Sequence, residues 1–459
     1  MKETRPFSMK DKIGYTLGDL GCCCTEQFRA MYLAIFYTLV LKVNPVHVGI
    51  LMLITKLWDA INDPLIGALV DSHKNKGKGK FIPWIKFFAF PTAVLCILGF
   101  VNVSNFAYGA RIAYMFVTYV VYEIMYTCVS VPFGSLSSVM TDDVNERTDL
   151  SRFRSLGGTI FMTVIVIAGP LFLYKDNQPV PSHFLIMSAI CAVVGFICLM
   201  FTSHWCKERI VTEPVAKEKE KLNYLQVIKA ITKNKALLGV MLSSFIGIIG
   251  AGMVNGLNTY LFRDYFGNVA IMAVSGMLSV IWSLIAFVGT KFVAKKFGKK
   301  EWIMYSATFS VVVYAILFFF PLENPMLFII INGICYLGVS GFQVLVWALV
   351  NDAIDYQELQ TGKRNEGIVY SAYTFFRKLA NAVSGSMSSF ALAIAGFNVN
   401  EAVQSEAFSG RLWKTYTGLY VVGYLLAVLV LKFVYPLTKE KTAEMLQNLS
   451  DKRNTANAK

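Results

Sequence analysis

Charge is scarce in this chain: Asp, Glu, Lys and Arg together make up 16% of its 459 residues, while 55% are hydrophobic. A water-soluble protein of this length would fold as two or three domains with a far more polar surface, so that class is excluded. No HExxH motif, Gly-rich phosphate loop or nucleophile elbow is found, which argues against an integral membrane enzyme. No sizeable soluble output domain is found either, which argues against a sensor. The nine cysteines (Cys22, Cys23, Cys24, Cys96, Cys128, Cys191, Cys198, Cys206 and Cys335) show neither metal-ligand spacing nor an extracellular disulfide framework. The leader "MKETRPFSMKDK" is charged and lacks a small-residue cleavage site at the right distance, so no cleavable signal is expected.

What the chain has in abundance is long apolar runs. Stretches of about 18 or more apolar residues recur throughout, the signature of transmembrane helices, and the mean hydropathy is +0.53. Read against Gly, Pro and charge breaks, twelve spans are predicted, at 13–41, 46–71, 82–103, 110–140, 154–174, 183–204, 236–262, 269–293, 302–320, 325–350, 367–397 and 412–435. The expectation is an all-α membrane protein with a six-helix bundle over 1–204, a linker over 205–235, a second six-helix bundle over 236–440 and a tail over 441–459.

A net charge of +14 would suit a nucleic-acid partner, but the basic residues are placed otherwise. Lysines crowd into "DSHKNKGKGK", 215–236, "KFVAKKFGKK" and the C-terminal tail, in every second loop, while "VNVSNFAYGA", "FPLENP" and "FNVNEAV" are nearly free of Lys and Arg. This is the positive-inside pattern: it predicts cytoplasmic termini in a cell membrane, with the lipid bilayer as partner and no nucleic acid. The halves also show weak similarity. "LWDAINDPLIGALVDSHKNKGKGK" corresponds in place to "IWSLIAFVGTKFVAKKFGKK", and setting Trp58 opposite Trp282 puts Asp59 and Asp63 opposite Ser283 and Phe287. Repeated six-helix halves are a transporter architecture. The two acids are not something the scaffold needs in both copies.

Asp59 and Asp63 share one face of the second span, near its middle. Each acid at bilayer depth costs roughly 2.5–3.5 kcal/mol, and two bare charges about 6 Å apart repel by a further ~3 kcal/mol at an effective dielectric near 20. Such a pair binds a proton or metal ion, or meets basic residues. One reading is a cation site that fills and empties, with Thr127 of the fourth span supplying a neutral oxygen; the other is a structural salt-bridge cluster involving Lys56. Na⁺ and H⁺ both fit the cation reading.

Glu123, Thr127 and Ser130 form a polar stripe on the fourth span, which "SVPFGSL" then interrupts. The first span carries Asp19, Cys23 and Glu26 on one face, with Arg29 beyond. Either Glu26 and Arg29 neutralise each other, or Arg29 meets substrate. On the eleventh span Tyr370, Thr374, Arg377 and Asn381 share a stripe bordered by Lys378, which either snorkels to the cytoplasm or projects into a cavity. Trp58, Trp347 and Tyr373 are candidates for stacking on a sugar, with packing as the alternative role.

Taken together, "YTLGD", "WDAINDPLIG", "GKFIPWI", "VPFGSL", "ERTDLSRFRSLGG", "NDAIDYQELQTGKRNEGIVYSAYTFFRK" and "YPLTKEK" resemble the glycoside–pentoside–hexuronide:cation symporters, a branch of the major facilitator fold that includes melibiose permease. The resemblance covers nearly the whole chain. It implies cation-coupled sugar uptake by alternating access, with a small-molecule sugar and Na⁺ or H⁺ as ligands, no other cofactor, a monomer, and a bacterial inner membrane as the location. Asp59 and Asp63 match that family's cation-binding carboxylates and Thr127 a cation ligand. Lys378 matches the lysine near both sites, and Arg154 an arginine that contacts sugar. Asp71, Arg147, Asp352, Asp355, Lys363, Arg364 and Glu366 are expected to serve a cytoplasmic gate. The chain departs where melibiose permease has sugar-gripping acids and a tryptophan: Cys23, Ser130 and Gly134 stand there. With those acids gone and Arg29, Arg377 and Lys378 present, an anionic sugar gains ground. Lysolipid carriers share this fold, so an amphiphile carrier and an uncoupled sugar facilitator are the alternatives.

Overall fold

The computed structural model describes residues 5–72, 79–210, 234–362 and 366–457. Contacts divide the chain into two units, Met1–Lys217 with Asn398–Val403, and Glu218–Phe397 with Gln404–Lys459. The first holds α1 (Met9–Ile35), α2 (Pro45–Ser72), α3 (Ile82–Leu98), α4 (Tyr108–Met140), α5 (Val144–Phe172) and α6 (Pro181–Trp205). The second holds α7 (Lys235–Tyr260), α8 (Ile271–Phe297), α9 (Lys299–Phe319), α10 (Pro325–Thr361), α11 (Glu366–Ala395), α12 (Glu406–Phe433) and α13 (Lys439–Asn457).

Eight of these helices, α4 to α10 and α12, are long and apolar enough by composition to cross a membrane. Of the rest of the first twelve, α3 is apolar but has only 17 residues. Helices α1, α2 and α11 carry charge at mid-length, and the candidate site residues Asp59, Asp63 and Lys378 are among those charges.

Each unit is built on the same internal plan. The first helix of the unit packs against its fifth and sixth, the third against the fourth and sixth, and the second against the fourth. The first helix of each ends alike. Helix α1 runs into a π-turn at Phe36–Val40 and α7 into one at Leu261–Tyr265, and a residue with left-handed φ follows each, Lys42 at 56° and Gly267 at 67°. A wider turn leaves carbonyls unspent, and here they accept from Val43 N (on Tyr37 O, 3.0 Å) and Asn268 N (on Phe262 O, 2.9 Å).

The first unit's core packs Tyr15, Phe81, Ile85, Phe133 and Leu136. Helices α1 and α5 approach closely because Gly157 has no side chain: a Cβ there would lie 2.4 Å from Thr16 O. The second unit's core packs Leu237, Val240, Ile303, Leu349, Tyr373 and Leu431, and α13 adds Met445 and Leu449. The tail expected over 441–459 is therefore helical through Asn457, because an i, i+4 apolar pair gives it a face to bury.

The stretch expected to open a linker at 205 instead folds back on the first unit. Glu208 accepts backbone N–H bonds from Lys80, Phe81 and Ile82 at 2.6–2.8 Å and so caps α3. Arg209 grips the fully buried Asp11 at 3.0 Å, alongside Arg5 at 2.7 Å. Between α5 and α6 a two-strand hairpin pairs Tyr174 with Pro179 around Asp176 and Asn177, both at positive φ.

Candidate functional site

The charged residues of α1, α2 and α4 converge within the first unit. Lys56 Nζ lies 3.0 Å from Asp59 Oδ2, 3.4 Å from Glu123 Oε1 and 3.7 Å from Glu26 Oε1. One ammonium thus serves three carboxylates from three helices. The Lys56–Asp59 contact is an i, i+3 pair on one helix face, while Glu26 and Glu123 arrive from helices that pack nearby. Glu123 is 5% exposed. The buried oxygens Glu26 Oε2 and Asp59 Oδ1 have no hydrogen-bond partner among the described residues.

Asp63, one turn further along α2, has a different neighbour: its Oδ1 accepts from Thr127 Oγ1 at 3.2 Å. The two helix α2 acids are therefore held separately, Asp59 by Lys56 and Asp63 by Thr127. The salt-bridge cluster that the sequence allowed around Lys56 is present, and it includes Glu123, which a reading of the fourth span placed only on a polar stripe. The usable signal was the common spacing of Glu123 and Thr127, four apart on one face.

A second polar group lies on the α1–α5 crossing. Arg154 Nε donates to Asp19 Oδ1 at 3.0 Å, Gly158 N donates to Asp19 Oδ2 at 2.9 Å, and Cys23 Sγ sits 3.9 Å from that oxygen. Arg154 also lies over the Phe133 ring at 5.3 Å. Its side chain remains 45% exposed, so it is reachable by a ligand. Ser130 is half-buried and Gly134 is open, with no atom within 4 Å of where a Cβ would stand.

Arg29 departs from both expectations. Among the described residues it pairs with no carboxylate and none of its nitrogens has a hydrogen-bond partner; its guanidinium lies 3.7 Å from the Tyr122 ring and 5.2 Å from that of Tyr119. At 2% exposure it is also beyond a substrate's reach in this conformation. The cause is steric: Gly99 leaves a gap that Arg29 fills, since a Cβ there would lie 2.4 Å from Nη1. Glu26, left without Arg29, turns to Lys56.

In the second unit, α11 presents Tyr370, Arg377, Lys378 and Asn381 as exposed side chains. Tyr373 does not join them. It is 1% exposed, its hydroxyl accepts from Ser244 at 3.5 Å, and its ring meets Trp347 edge-on, so it packs α11 on the core and is no platform for a sugar. Trp347 instead stacks on Tyr370 at 5.3 Å, with the Arg377 guanidinium 5.5 Å from its ring. Trp58 is 38% exposed on α2.

Of the gate candidates, Arg147 bonds the carbonyls of Thr141 and Ser138 at the end of α4, at 2.9 and 3.3 Å, as a C-terminal helix cap. Asp352 pairs with Lys299 of its own unit at 2.5 Å, and Asp355 is half-buried. Lys363 and Arg364 lie outside the described residues, as do the side chains of Asp71 and Glu366.

Comparison with known proteins places this geometry in context. A model of the family described as "MFS/sugar transport protein" matches residues 14–439. An uncharacterized symporter, YjmB of Bacillus subtilis (strain 168), is 32% identical, covering 97% of this chain and 96% of its own length. A putative sulfoquinovose importer of Escherichia coli (strain K12) is 28% identical, covering 98% of this chain and 96% of its own. Among solved structures, the nucleoside transporter NupG matches over 93% of this chain and 100% of its own, with a TM-score of 0.63 at 13% identity, a likeness of fold alone.

Proposed function

The chain belongs to the MFS/sugar transport family and has the major facilitator fold, and from that premise we propose that it is a cation-coupled symporter of a glycoside, pentoside or hexuronide. Sugar transport is the family's business; the coupling and the substrate class are the added claims. One observation supports coupling above the others: three carboxylates share the single ammonium of Lys56 inside the membrane-spanning part of the first unit. That leaves two carboxylates without a base of their own, before Asp63 is counted. Charge buried at this depth calls for a compensating proton or cation.

The unpartnered Asp59 Oδ1 and the Asp63–Thr127 pair are oxygen donors of the type a hard cation takes. On this reading the ion is cargo, held by Asp59, Asp63 and Thr127 during each cycle. Coupling is reciprocal: the ion raises sugar affinity and the sugar raises ion affinity by the same factor. Within the first unit the half-exposed Arg154 beside Asp19, and within the second unit the exposed Arg377 and Lys378 on α11, are each cations that suit a sugar carrying negative charge. The protein works as an importer in a bacterial inner membrane, with both termini cytoplasmic.

The test is uptake into proteoliposomes of labelled neutral β-glycosides, pentosides, hexuronides and sulfoquinovose. Each is run with an inward Na⁺ gradient, with an inward proton gradient, and with neither. Concentrative uptake of one class under one gradient is the expected result. Equal uptake under all three conditions would make the protein a facilitator, and no sugar uptake at all would point to an amphiphile carrier.

A further inference from the structure

The second unit contains a cavity of about 120 Å³ where the turn between α8 and α9 meets α10 and the junction of α12 with α13. Four lysines line it: Lys295, Lys299, Lys300 and Lys439. Lys299 is paired with Asp352 at 2.5 Å. The other three have no carboxylate partner among the described residues. Lys300 Nζ donates to the carbonyls of Tyr435 (2.5 Å) and Lys432 (3.3 Å), Lys439 Nζ donates to the carbonyl of Lys296 (2.7 Å), and Lys295 is exposed at the rim.

Two acids stand against these four cations. Asp352 is one; Glu301 is the other, its Oε1 accepting from Lys439 N at 3.0 Å. The local balance remains positive by two. Two helices begin here, α9 at Lys299 and α13 at Lys439, and two end here, α8 at Phe297 and α12 at Phe433, so the helix dipoles offset one another and the lysines carry the positive charge. A separate observation points to a ligand. Tyr435 is 1% exposed and lines the cavity, yet its hydroxyl has no hydrogen-bond partner among the described residues. An unspent buried donor beside ammoniums that have no carboxylate partner among the described residues is a place prepared for an acceptor that brings its own negative charge.

We propose that this cavity binds a phosphate group. Ammoniums acting as point donors suit a compact multi-oxygen anion, and the hydroxyls of Thr438 and Thr442 lie on the same wall. The lysine-rich turns mark this end as the one the charge distribution predicts to be cytoplasmic. There the phosphate can come from an anionic phospholipid headgroup in the inner leaflet or from a soluble phosphate. The inference does not need the transport reading: of these groups only Asp352 is a gate candidate, and none is a coupling or sugar residue.

The experiment is thermal unfolding of the full-length protein in detergent at constant ionic strength. It is titrated in turn with inorganic phosphate, short-chain phosphatidylglycerol and short-chain phosphatidylcholine. A saturable rise in midpoint with phosphatidylglycerol but not inorganic phosphate assigns a lipid headgroup; a rise with inorganic phosphate assigns a soluble ligand. Tyr435→Phe removes only an unpartnered hydroxyl, so it should fold normally and weaken binding about five-fold. Lys295→Gln with Lys439→Gln should weaken it by more, roughly ten-fold or beyond. No saturable rise, a rise matched by phosphatidylcholine, or equal affinity in wild type and Tyr435→Phe would overturn the proposal.

Discussion

Asp59→Asn separates two jobs that one carboxylate can hold, that of counter-ion to Lys56 and that of ligand to a transported cation. At 3.0 Å from Lys56 Nζ, the lost charge removes a gross attraction of about 5–6 kcal/mol at an effective dielectric near 20. Most of that is offset by desolvation, and Lys56 keeps Glu123 at 3.4 Å and Glu26 at 3.7 Å, so the net cost is about 1–2 kcal/mol. Lys56→Gln is harsher. It strands three carboxylates without a base and should cost about 3–5 kcal/mol. The double variant should cost less than the sum of the two, because the contact is already gone in each. Stability is read by thermal unfolding, and function by sugar counterflow and by concentrative uptake under an ion gradient. Counterflow needs only binding and exchange, so Asp59→Asn should retain it while losing concentrative uptake. The double variant should recover stability and still fail to concentrate sugar. If Asp59→Asn still accumulates sugar against a gradient, or if the double variant regains accumulation, Asp59 is no more than a partner for Lys56.

Three further outcomes follow from single contacts. Thr127→Val removes the donor to Asp63 and should weaken the ion dependence of uptake about ten-fold; an unchanged ion dependence removes Thr127 from the site. Gly157→Ala forces a Cβ to within 2.4 Å of Thr16 O, and should lower stability by about 1–3 kcal/mol in thermal unfolding; no change would mean that α1 and α5 separate freely. Cys206, just past α6, is fully buried, and burial, reinforced by the nearby Asp11, pushes its thiol up to about 12. Its thiolate is therefore scarce in the folded protein, and maleimide labelling should stay slow at about pH 8 and rise as pH climbs; prompt labelling of native protein there would contradict the burial.

Twelve helices are legible as apolar runs between Gly, Pro and charge breaks, eight of them apolar enough by composition to cross a membrane, but the ends of helices are a different quantity. The third span was read to 103, yet α3 stops at Leu98. Phe100 is apolar for another reason: it packs on Phe28 at 4.8 Å and Phe36 at 5.3 Å. Conversely, α10 runs on to Thr361, eleven residues beyond the expected end at 350, because "NDAIDYQELQT" is polar but a good helix former. Glu208 and Arg209 were read as linker because nothing local distinguishes a solvated charge from one that caps α3 or grips Asp11. Those partners lie more than 120 residues away in sequence.

The site was legible to the same extent, and for a related reason. Spacing on one helix showed that Asp59, Asp63 and Lys56 share a surface, so both the cation reading and the salt-bridge reading could be stated. What spacing cannot show is convergence between helices. Sequence spacing allows Glu26 to neutralise Arg29 or leaves Arg29 for substrate, but Gly99 admits Arg29 to a tyrosine-lined gap and so releases Glu26 to α2. That exchange brings a third carboxylate to Lys56: with Glu26 on Arg29 it would face two, and as built it faces three. On the coupled reading, a cation approaching Asp59 therefore competes with an ammonium that has two other carboxylates to turn to, so the ion can bind without leaving Lys56 bare.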